Sequence, residues 1–279
     1  MAPDLSLIRG KLPSQIDEDG GNPAEKRGEK EKIMPEFSMN EMLKAGVHFG
    51  HQTSKWNPKM KPYIFCNRDG IHIIDIRQTA TKLKKALAFI SSLANQGEKV
   101  LFVATKKQAK DSVKKAAISC GMPYVTERWL GGIFTNFNII KKQIKKLADY
   151  EVKEKSEEYN SYTKKEKLEF QKEKDRLERN VGGLRNVNKL PGCIFVIDIV
   201  CNKLAISEAN CLNVPIVALV DTNGDPSQVN YPIPSNDDAI KVIEMMAKAV
   251  AEVIKTDYKK PTEAVEKAIG RKNVKILKN

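Results

Sequence analysis

The sequence predicts an α/β fold, a doubly wound parallel β-sheet with helices on both faces and an inserted antiparallel pair of helices. Three observations predict it. Short, almost wholly apolar segments such as 193–198 (CIFVID) and 215–220 (PIVALV) are typical of strands buried on both faces of a parallel sheet. Segments with apolar residues at helical spacing alternate with them. Between 136 and 190 the alternation stops, and a long charged segment takes its place.

The first part of the chain is predicted to alternate strands and helices. Ser38 and Glu41 form a capping box that begins a short helix, and Gly46 ends it. Beyond a basic loop, apolar runs predict strands, and apolar residues at intervals of three and four predict helices. These elements are a strand at 71–75, a helix at 79–94, a strand at 99–104, a helix at 106–120 and a strand at 123–126.

The charged segment is predicted to form two helices, each with a narrow apolar seam. Apolar positions recur at intervals of three and four from Phe137 to Leu147, and they resume after a polar turn from Phe170 to Leu184. Such seams can pair with each other and with little else. We therefore favour an antiparallel helical hairpin at 136–181 over a single long helix, with most of its charges solvated.

The alternation returns after the charged segment. The predicted elements are a strand at 193–198, a helix at 205–212, a strand at 215–220, a loop at 221–234 and a helix at 237–254. Because apolar strands separated by helices form parallel sheets with right-handed crossovers, we expect all the predicted strands in one such sheet.

The domain boundaries follow from these elements. The α/β domain is predicted to be discontinuous, with residues 37–135 and 182–256 on either side of the hairpin insertion at 136–181. Prolines, a Gly-Gly pair and few clustered apolar residues predict disorder at 1–36. The lysine-rich, weakly apolar segment 257–279 is predicted to be a basic flexible tail.

The positive charge lies in the part of the chain that is predicted to fold. Lysine and arginine exceed acidic residues by 13, and residues 1–36 have a balance of −2, which leaves +15 for residues 37–279. A field of that sign favours a polyanion such as RNA, DNA or an anionic membrane surface. No apolar run is long enough to span a bilayer, and the N-terminus lacks a signal-peptide pattern, so we expect a cytoplasmic protein.

The cysteines are predicted to be buried small hydrophobic residues. Their number is odd, and they form no C-x-x-C pair, which argues against a disulfide framework and against a zinc-finger site. The five are Cys66, Cys120, Cys193, Cys201 and Cys211.

Segment 46–65 (GVHFGHQTSKWNPKMKPYIF) is predicted to be a basic loop that suits nucleic acid. Two prolines disfavour helix at the residues before them, so 55–61 should be extended or turning, with its lysines pointing outward. Cations on a stiff backbone beside Trp56 and Tyr63 suit a polyanion that also offers flat bases. The alternative is a surface loop with solvated lysines and a half-buried tryptophan.

The sequence lacks the phosphate-binding motifs of nucleotide enzymes. It contains neither G-x-G-x-x-G nor G-x-x-x-x-G-K-[ST], although a doubly wound sheet binds ligands at the carboxyl ends of its strands. Lys106 and Lys107, at the start of a predicted helix, could contact a phosphate of a nucleotide or of RNA.

Other polar residues at the strand ends have ordinary structural explanations. Asp198 and Asp221 end predicted strands and could be catalytic, but capping and turn formation are favoured. His48 and His51 lie three apart beside glycines and are interpreted as structural. No catalytic constellation is found, so the protein is predicted not to be an enzyme.

Several long motifs resemble one family. KAGVHFGHQTSKWNPKMKPYIF, ERWLGGIFTNF, EANCLNVPIVALVDTNGDP and IPSNDDA occur in this order. Over about residues 38–256 the chain resembles the bacterial form of the small-subunit ribosomal protein S-two family. The resemblance implies a flavodoxin-like parallel sheet with an inserted coiled-coil hairpin, no enzymatic activity, small-subunit rRNA as the main ligand, and docking of the mRNA-binding ribosomal protein S-one. It also implies that the protein is located on the cytoplasmic ribosome, with an organellar ribosome as the alternative.

The resemblance also implies which residues contact RNA. In the proline-stiffened loop these are Lys55, Asn57, Lys59 and Lys61, with Trp56 as a packing or stacking plate. Where the sheet leads into the hairpin and along its first helix they are Arg128, Trp129, Thr135, Asn136, Lys141, Lys142 and Lys145.

Some members of the family are thought to hold zinc where the partner docks. The matching positions are His51, Asp221 and Asp238, and nitrogen and oxygen ligands of this kind can bind zinc. No other cofactor, small-molecule substrate or membrane partner is expected.

Two other functions remain open at this point. One is an α/β enzyme that binds a nucleotide or sugar phosphate at the strand ends, which the missing glycine loop disfavours. The other is an RNA-binding or scaffold protein that acts away from the ribosome.

Overall fold

A computed structural model of the protein describes residues 37–258. The disorder predicted for 1–36, and the flexible tail predicted for 257–279 beyond its first two residues, lie outside the described part.

The described residues form the helices and strands below. The helices are α1 (Met39–Ala45), α2 (Ile76–Asn95), α3 (Lys110–Cys120), α4 (Phe137–Glu154), α5 (Glu157–Ser161), α6 (Lys164–Val181), α7 (Lys203–Cys211) and α8 (Ile240–Asp257). The strands are β1 (Phe49–Gln52), β2 (Ile64–Arg68), β3 (Ile71–Ile74), β4 (Val100–Val103), β5 (Tyr124–Val125), β6 (Cys193–Ile197), β7 (Ile216–Val220) and β8 (Tyr231–Pro234).

The central sheet is parallel and has the strand order β5-β4-β6-β7-β8. Numbered within the sheet, this is the 2-1-3-4-5 order of flavodoxin-like folds, which confirms the predicted fold class. The chain reverses its direction of winding between β4 and β6, so the crevice between the carboxyl ends of these two strands is where such folds bind ligands.

Both faces of this sheet are buried under helices. Side chains such as Phe102 and Phe195 point to the face covered by α2, α3 and α8. Their neighbours Leu101 and Ile194 point to the other face, which α7 and the segment before α4 cover. Every residue of β4, β6 and β7 is buried, which explains why these strands are continuous apolar runs instead of alternating ones.

One strand of this sheet was predicted as a loop. β8 lies at the edge of the sheet and pairs with β7, with Ala218 opposite Pro232 and Val220 opposite Pro234. Proline lacks the N–H that a central strand must donate, but an edge strand tolerates it. Two prolines in a four-residue strand therefore conceal it from a pattern search.

The predicted strand 71–75 lies in a different sheet. Its structured part, β3, is the middle strand of an antiparallel sheet of order β1-β3-β2. Asp69 and Gly70 join β2 to β3 with φ of +51° and +75°, as a two-residue type I′ turn requires. The Asp-Gly pair between two apolar segments was the signal for this hairpin, so the assignment to the parallel sheet was wrong.

The charged segment contains the two predicted main helices, α4 and α6, with the short α5 between them. Tyr150 on α4 lies 4.7 Å from Phe170 on α6, ring centroid to ring centroid. Lys146 Nζ lies 3.2 Å from Glu173 Oε1. The earlier residue on α4 faces the later residue on α6, so the two helices run in opposite directions and pack against each other. The coiled-coil geometry stays a prediction.

The burial predicted for the cysteines is wrong for most of them. Cys193 is fully buried in β6, and Cys120 is half-buried, but Cys66, Cys201 and Cys211 are exposed. Cys66 lies on an edge strand, Cys201 in the turn before α7, and Cys211 at the last position of α7. Among the helices at 37–258, none is both long and apolar enough to cross a membrane.

Candidate nucleic-acid interface

The basic loop between β1 and β2 is partly helical. Trp56 and Asn57, which precede Pro58, are extended, as predicted. Pro58–Tyr63 forms a 3-10 helix, so this part of the segment predicted to be extended or turning is a turning one, although Pro62 does not keep Lys61 out of the helix. Pro58 occupies the first helical position, where its missing N–H costs nothing, and Asn57 Oδ1 accepts a hydrogen bond from Lys59 N at 3.0 Å.

Thr222, just after β7, holds this loop against the central sheet. Its carbonyl oxygen accepts from Asn57 N at 2.7 Å, and its Oγ1 accepts from His51 N at 2.8 Å. A Cβ at Gly50 would lie 2.6 Å from Thr222 Cγ2, so only glycine permits this close approach. The loop therefore has a fixed position at the carboxyl end of β7.

Lys59 is neutralised within the protein. Its Nζ lies 2.7 Å from Asp225 Oδ2 and 2.9 Å from Ser227 Oγ. Partial burial acts to raise the pKa of Asp225, but the hydrogen bonds from Lys59 and Ser227 lower that pKa to about 2. Lys55 and Lys61 are exposed, and among residues 37–258 no carboxylate pairs with them.

The apolar residues of the loop support its cations. Met60 is fully buried against the same face of the sheet as α7. Trp56 is half-buried, with its ring 5.1 Å from that of His72. Lys59, Lys61, Tyr63 and neighbouring prolines line an open groove of about 800 Å³. A lysine pair beside a proline and tyrosine surface is thus presented on an anchored scaffold.

A second group of predicted contact residues precedes and begins α4. Arg128, Thr135 and Asn136 are exposed. Trp129 is 6% exposed, and its Nε1 donates to Glu208 Oε1 at 3.2 Å, so its ring is a packing element. Along α4, the exposed predicted contacts are Lys141, Lys142 and Lys145.

Lys106 does not lie at the start of a helix. The helix begins at Lys110, and Lys106 lies in the preceding turn, whereas its neighbour Lys107 is exposed. Lys106 Nζ is 2.6 Å from Asp237 Oδ1 and 2.6 Å from Asp238 Oδ1. Burial acts to lower the pKa of Lys106, but the hydrogen bonds to these two carboxylates raise it above its ordinary value.

These contacts fill the crevice where an α/β enzyme would bind a nucleotide. Between the ends of β4 and β6, Thr105 Oγ1 donates to Asn202 Oδ1 at 3.0 Å, and Lys106 Nζ lies 3.6 Å from Asp198 Oδ2. Asp198 Oδ1 also accepts from Val200 N at 2.7 Å, so it caps the turn, as predicted. The side chains that could hold a ligand are therefore bonded to one another.

The predicted zinc ligands lie in this cluster. His51 Nδ1 is 3.1 Å from Asp221 Oδ2, and Nε2 is 3.6 Å from Asp238 Oδ2. The Nδ1 contact is an ion pair only when the ring is protonated, and Nδ1 has no partner in hydrogen-bonding geometry. Asp221 beside the ring raises the pKa of His51, and partial burial opposes this. Asp237 joins the group, since donor atoms of His51, Asp237 and Asp238 lie within 4.8 Å of one another.

The donor atoms of His51, Asp237 and Asp238 are of the kinds that bind zinc, but a cation of the protein already occupies the two carboxylates. One imidazole and two carboxylates are normal zinc ligands, and Asp221 would orient the ring from its other nitrogen. The Lys106 ammonium, however, already contacts both carboxylates. A zinc ion would have to displace it.

Sequence reasoning missed the partners of the predicted residues. Glu208 and Thr222 were not singled out, and Asp225 was not recognised as a partner of Lys59, although these three hold Trp129, His51 and Lys59. Glu208 carried a detectable signal, because it shares the apolar face of α7 with the buried Ala205 and Ala209. An acid on the apolar face of a helix indicates a buried partner.

Together these features define a flavodoxin-like α/β protein that carries exposed cations on an anchored loop and along α4. The family model described as ribosomal protein S2 matches residues 42–256. A small ribosomal subunit protein uS2 from Geotalea uraniireducens (strain Rf4) is 49% identical over 221 residues, which is 79% of this chain and 86% of that protein. The chain belongs to the ribosomal protein S2 family. Its role is that of a structural, non-enzymatic protein of the small ribosomal subunit in translation.

Proposed function

We propose that the protein binds small-subunit rRNA in the cytoplasmic ribosome through two basic surfaces. The first surface is the loop that carries Lys55 and Lys61, and the second begins at Arg128 and continues along α4. The observation that carries the proposal is that Lys55 and Lys61 project from a loop anchored on Thr222, without a carboxylate partner among residues 37–258.

The physical support is charge on a rigid scaffold. Ordering a loop on binding costs conformational free energy, and this loop is ordered in advance by Met60, Asn57 and His51. Free ammonium groups on it can displace counterions from phosphates without first breaking an internal ion pair. Lys59 and Lys106 would each have to break an internal ion pair before binding a phosphate, so their contribution is to hold the protein surface in place.

The test is the Lys55→Ala and Lys61→Ala double variant, measured against small-subunit rRNA over a series of salt concentrations. Two lost phosphate contacts make the slope of log K against log salt shallower by about 2. The matched control is Lys115→Ala with Lys241→Ala, the same charge change on α3 and α8 at the other face of the sheet. Equal slopes for the two double variants would contradict the proposal, as would unchanged entry of the first into small subunits.

We also propose that the antiparallel sheet receives protein S-one. Phe65 is 65% exposed, Phe49 48% and Ile71 36%, so each strand of this small sheet exposes an apolar side chain. Exposed apolar side chains that gather into a patch are typical of protein interfaces. Replacing Phe49 and Phe65 with serine should leave rRNA binding intact and reduce the S-one recovered with small subunits. Val152→Ser, at an exposed apolar position on α4, is the control, and equal recovery of S-one would remove the proposal.

For the cluster of His51, Asp237 and Asp238, we propose that the Lys106 ammonium is the resident cation and that zinc binds only in competition with it. Lys106→Gln removes the ammonium and leaves the carboxylates, so the zinc content of the variant, after dialysis against the same zinc solution, should exceed that of the natural chain. Adding His51→Ala should remove the gain. Equal zinc content with and without Lys106 would overturn the proposal.

A further inference from the structure

The carboxylate of Glu208, on α7, accepts hydrogen bonds from several residues of the segment 129–135, which leads into α4. Its Oε1 accepts from Trp129 Nε1 at 3.2 Å and from Gly132 N at 2.8 Å. Its Oε2 accepts from Phe134 N at 3.0 Å, from Thr135 N at 3.3 Å and from Thr135 Oγ1 at 3.4 Å. One side chain, 76 residues away from Gly132 in sequence, thus collects five donors from seven consecutive residues.

This carboxylate is charged without a counter-cation. Glu208 is only 6% exposed, and no lysine or arginine of residues 37–258 contacts it. Burial acts to raise the pKa of Glu208, but the N–H donors of Gly132 and Phe134 lower it below its ordinary value. A buried carboxylate is tolerable only when such donors replace water, so the segment and Glu208 depend on each other.

The segment has its inner side on Glu208 and its outer side toward solvent. Gly132 has a φ of +95°, which lets the backbone direct the N–H groups of Gly132, Phe134 and Thr135 at the carboxylate. Arg128 and Asn136, which flank these donors, are exposed, and so is Thr135, the last of the donor residues. Because the N–H groups point inward to one carboxylate, the backbone that carries these exposed side chains is held in one arrangement.

We propose that Glu208 is the positioning residue of the second RNA-binding surface, fixing the arrangement in which Arg128 and Asn136 meet phosphates. The inference rests on the proposed rRNA binding. Glu208 touches no RNA itself; it acts through the backbone of the segment, as an anion captured by a ring of N–H donors.

Glutamine is a sharp probe of this role because it has nearly the same shape. Its single carbonyl oxygen can replace one carboxylate oxygen, but its NH₂ group then faces donors only. Either Trp129 and Gly132, or Phe134 and Thr135, lose their acceptor. The apolar contacts of α7 through Ala205, Ile206 and Ala209 stay as they are, so the fold is retained while the segment is freed.

The experiment is a double-mutant cycle on the full chain, measured as affinity for small-subunit rRNA over a salt series. Glu208→Gln should bind about tenfold more weakly, with a salt slope shallower by about 1, as Arg128→Ala should. In the Arg128→Ala background, Glu208→Gln should cost only the smaller contribution of Asn136, so the loss in the double variant should be clearly less than the sum of the two single losses, whereas the losses of Glu208→Gln and Lys61→Ala should add. A merely destabilised fold would weaken both surfaces alike. Glu244→Gln, on α8, is the matched control.

Additive effects of Glu208→Gln and Arg128→Ala, or natural affinity in Glu208→Gln, would overturn the inference. If Arg128→Ala itself binds as the natural chain does, the proposed RNA surface fails there, which is a distinct result. If Glu208→Gln does not fold, Trp129→Phe removes one donor and keeps a ring. The same cycle then applies, with a smaller loss of affinity that must shrink further in the Arg128→Ala background.

Discussion

Lys59 and Asp225 are 166 residues apart in sequence, and Lys59 Nζ lies 2.7 Å from Asp225 Oδ2. The pair joins the basic loop to the connection that follows β7. Lys59 thus anchors the loop, whereas no carboxylate among residues 37–258 pairs with its neighbours Lys55 and Lys61. Anchoring and binding are thus divided among lysines that look alike in sequence.

The first prediction concerns the pH dependence of this pair. Although partial burial acts to raise the pKa of Asp225, the hydrogen bonds from Lys59 and Ser227 lower that pKa to about 2. Because the pKa is depressed on folding, the contribution to stability is complete above about pH 4 and is lost as the pH falls toward 2. Lys59 is 58% exposed, so we expect less than about 1 kcal/mol from the pair. Lys59→Met should return the pKa of Asp225 toward its ordinary value in an NMR titration of the carboxyl carbon. An ordinary pKa in the natural chain would contradict this.

The second prediction concerns Gly50. An added Cβ would lie 2.6 Å from Thr222 Cγ2 and 3.0 Å from the His72 carbonyl oxygen, so β1 or the Thr222 connection must move. We expect Gly50→Ala to lower the free energy of unfolding by about 1–3 kcal/mol in urea denaturation. Gly131→Ala is the control, since its Cβ would meet Leu204 Cδ2 at an ordinary 3.8 Å. Equal stability of the two variants would show that the close approach is not restrictive.

The third prediction concerns thiol labelling. The exposed Cys66 and Cys211 should react with an aromatic disulfide reagent in the native protein, and the buried Cys193, whose pKa burial raises to about 12, should react only on unfolding. Cys201 is exposed, but its hydrogen bond to Asp198 raises its pKa to about 11. Because the thiolate is the reactive form, Cys201 should label more slowly than Cys66 at neutral pH. Mass spectrometry of the labelled peptides measures the order, and equal rates for these two would refute it.

The fourth prediction concerns the far ends of α4 and α6. Phe170 lies 4.7 Å from Tyr150, 5.1 Å from Tyr159 and 6.4 Å from Tyr162, ring to ring, and forms the centre of a small aromatic cluster. Phe170→Ala should increase hydrogen exchange in these helices and leave β4, β6 and β7 protected, as expected if 136–181 is a separate insertion. Faster exchange throughout the central strands would contradict that separation. Leu168→Ala, an exposed apolar position on α6, is the control.

Local sequence rules were enough to predict the elements whose local sequence pattern matches their place in the fold. The capping box of Ser38 and Glu41 and the stop at Gly46 are present as predicted. The buried strands β4, β6 and β7 could be recognised because both of their faces need apolar side chains. β8 could not, because its prolines are acceptable only at an edge, and being an edge is a property of the finished sheet.

The sequence alone determined the fold class, the basic character of the folded part and the family motifs that carry Lys55 and Arg128. Only the tertiary structure decided which cations remain free. Lys59 and Lys106 read as exposed binding residues, yet each meets a carboxylate supplied by a distant connection. The physical reason is that composition and spacing are local, whereas an ion pair or a buried acid such as Glu208 depends on which strand ends the topology brings together.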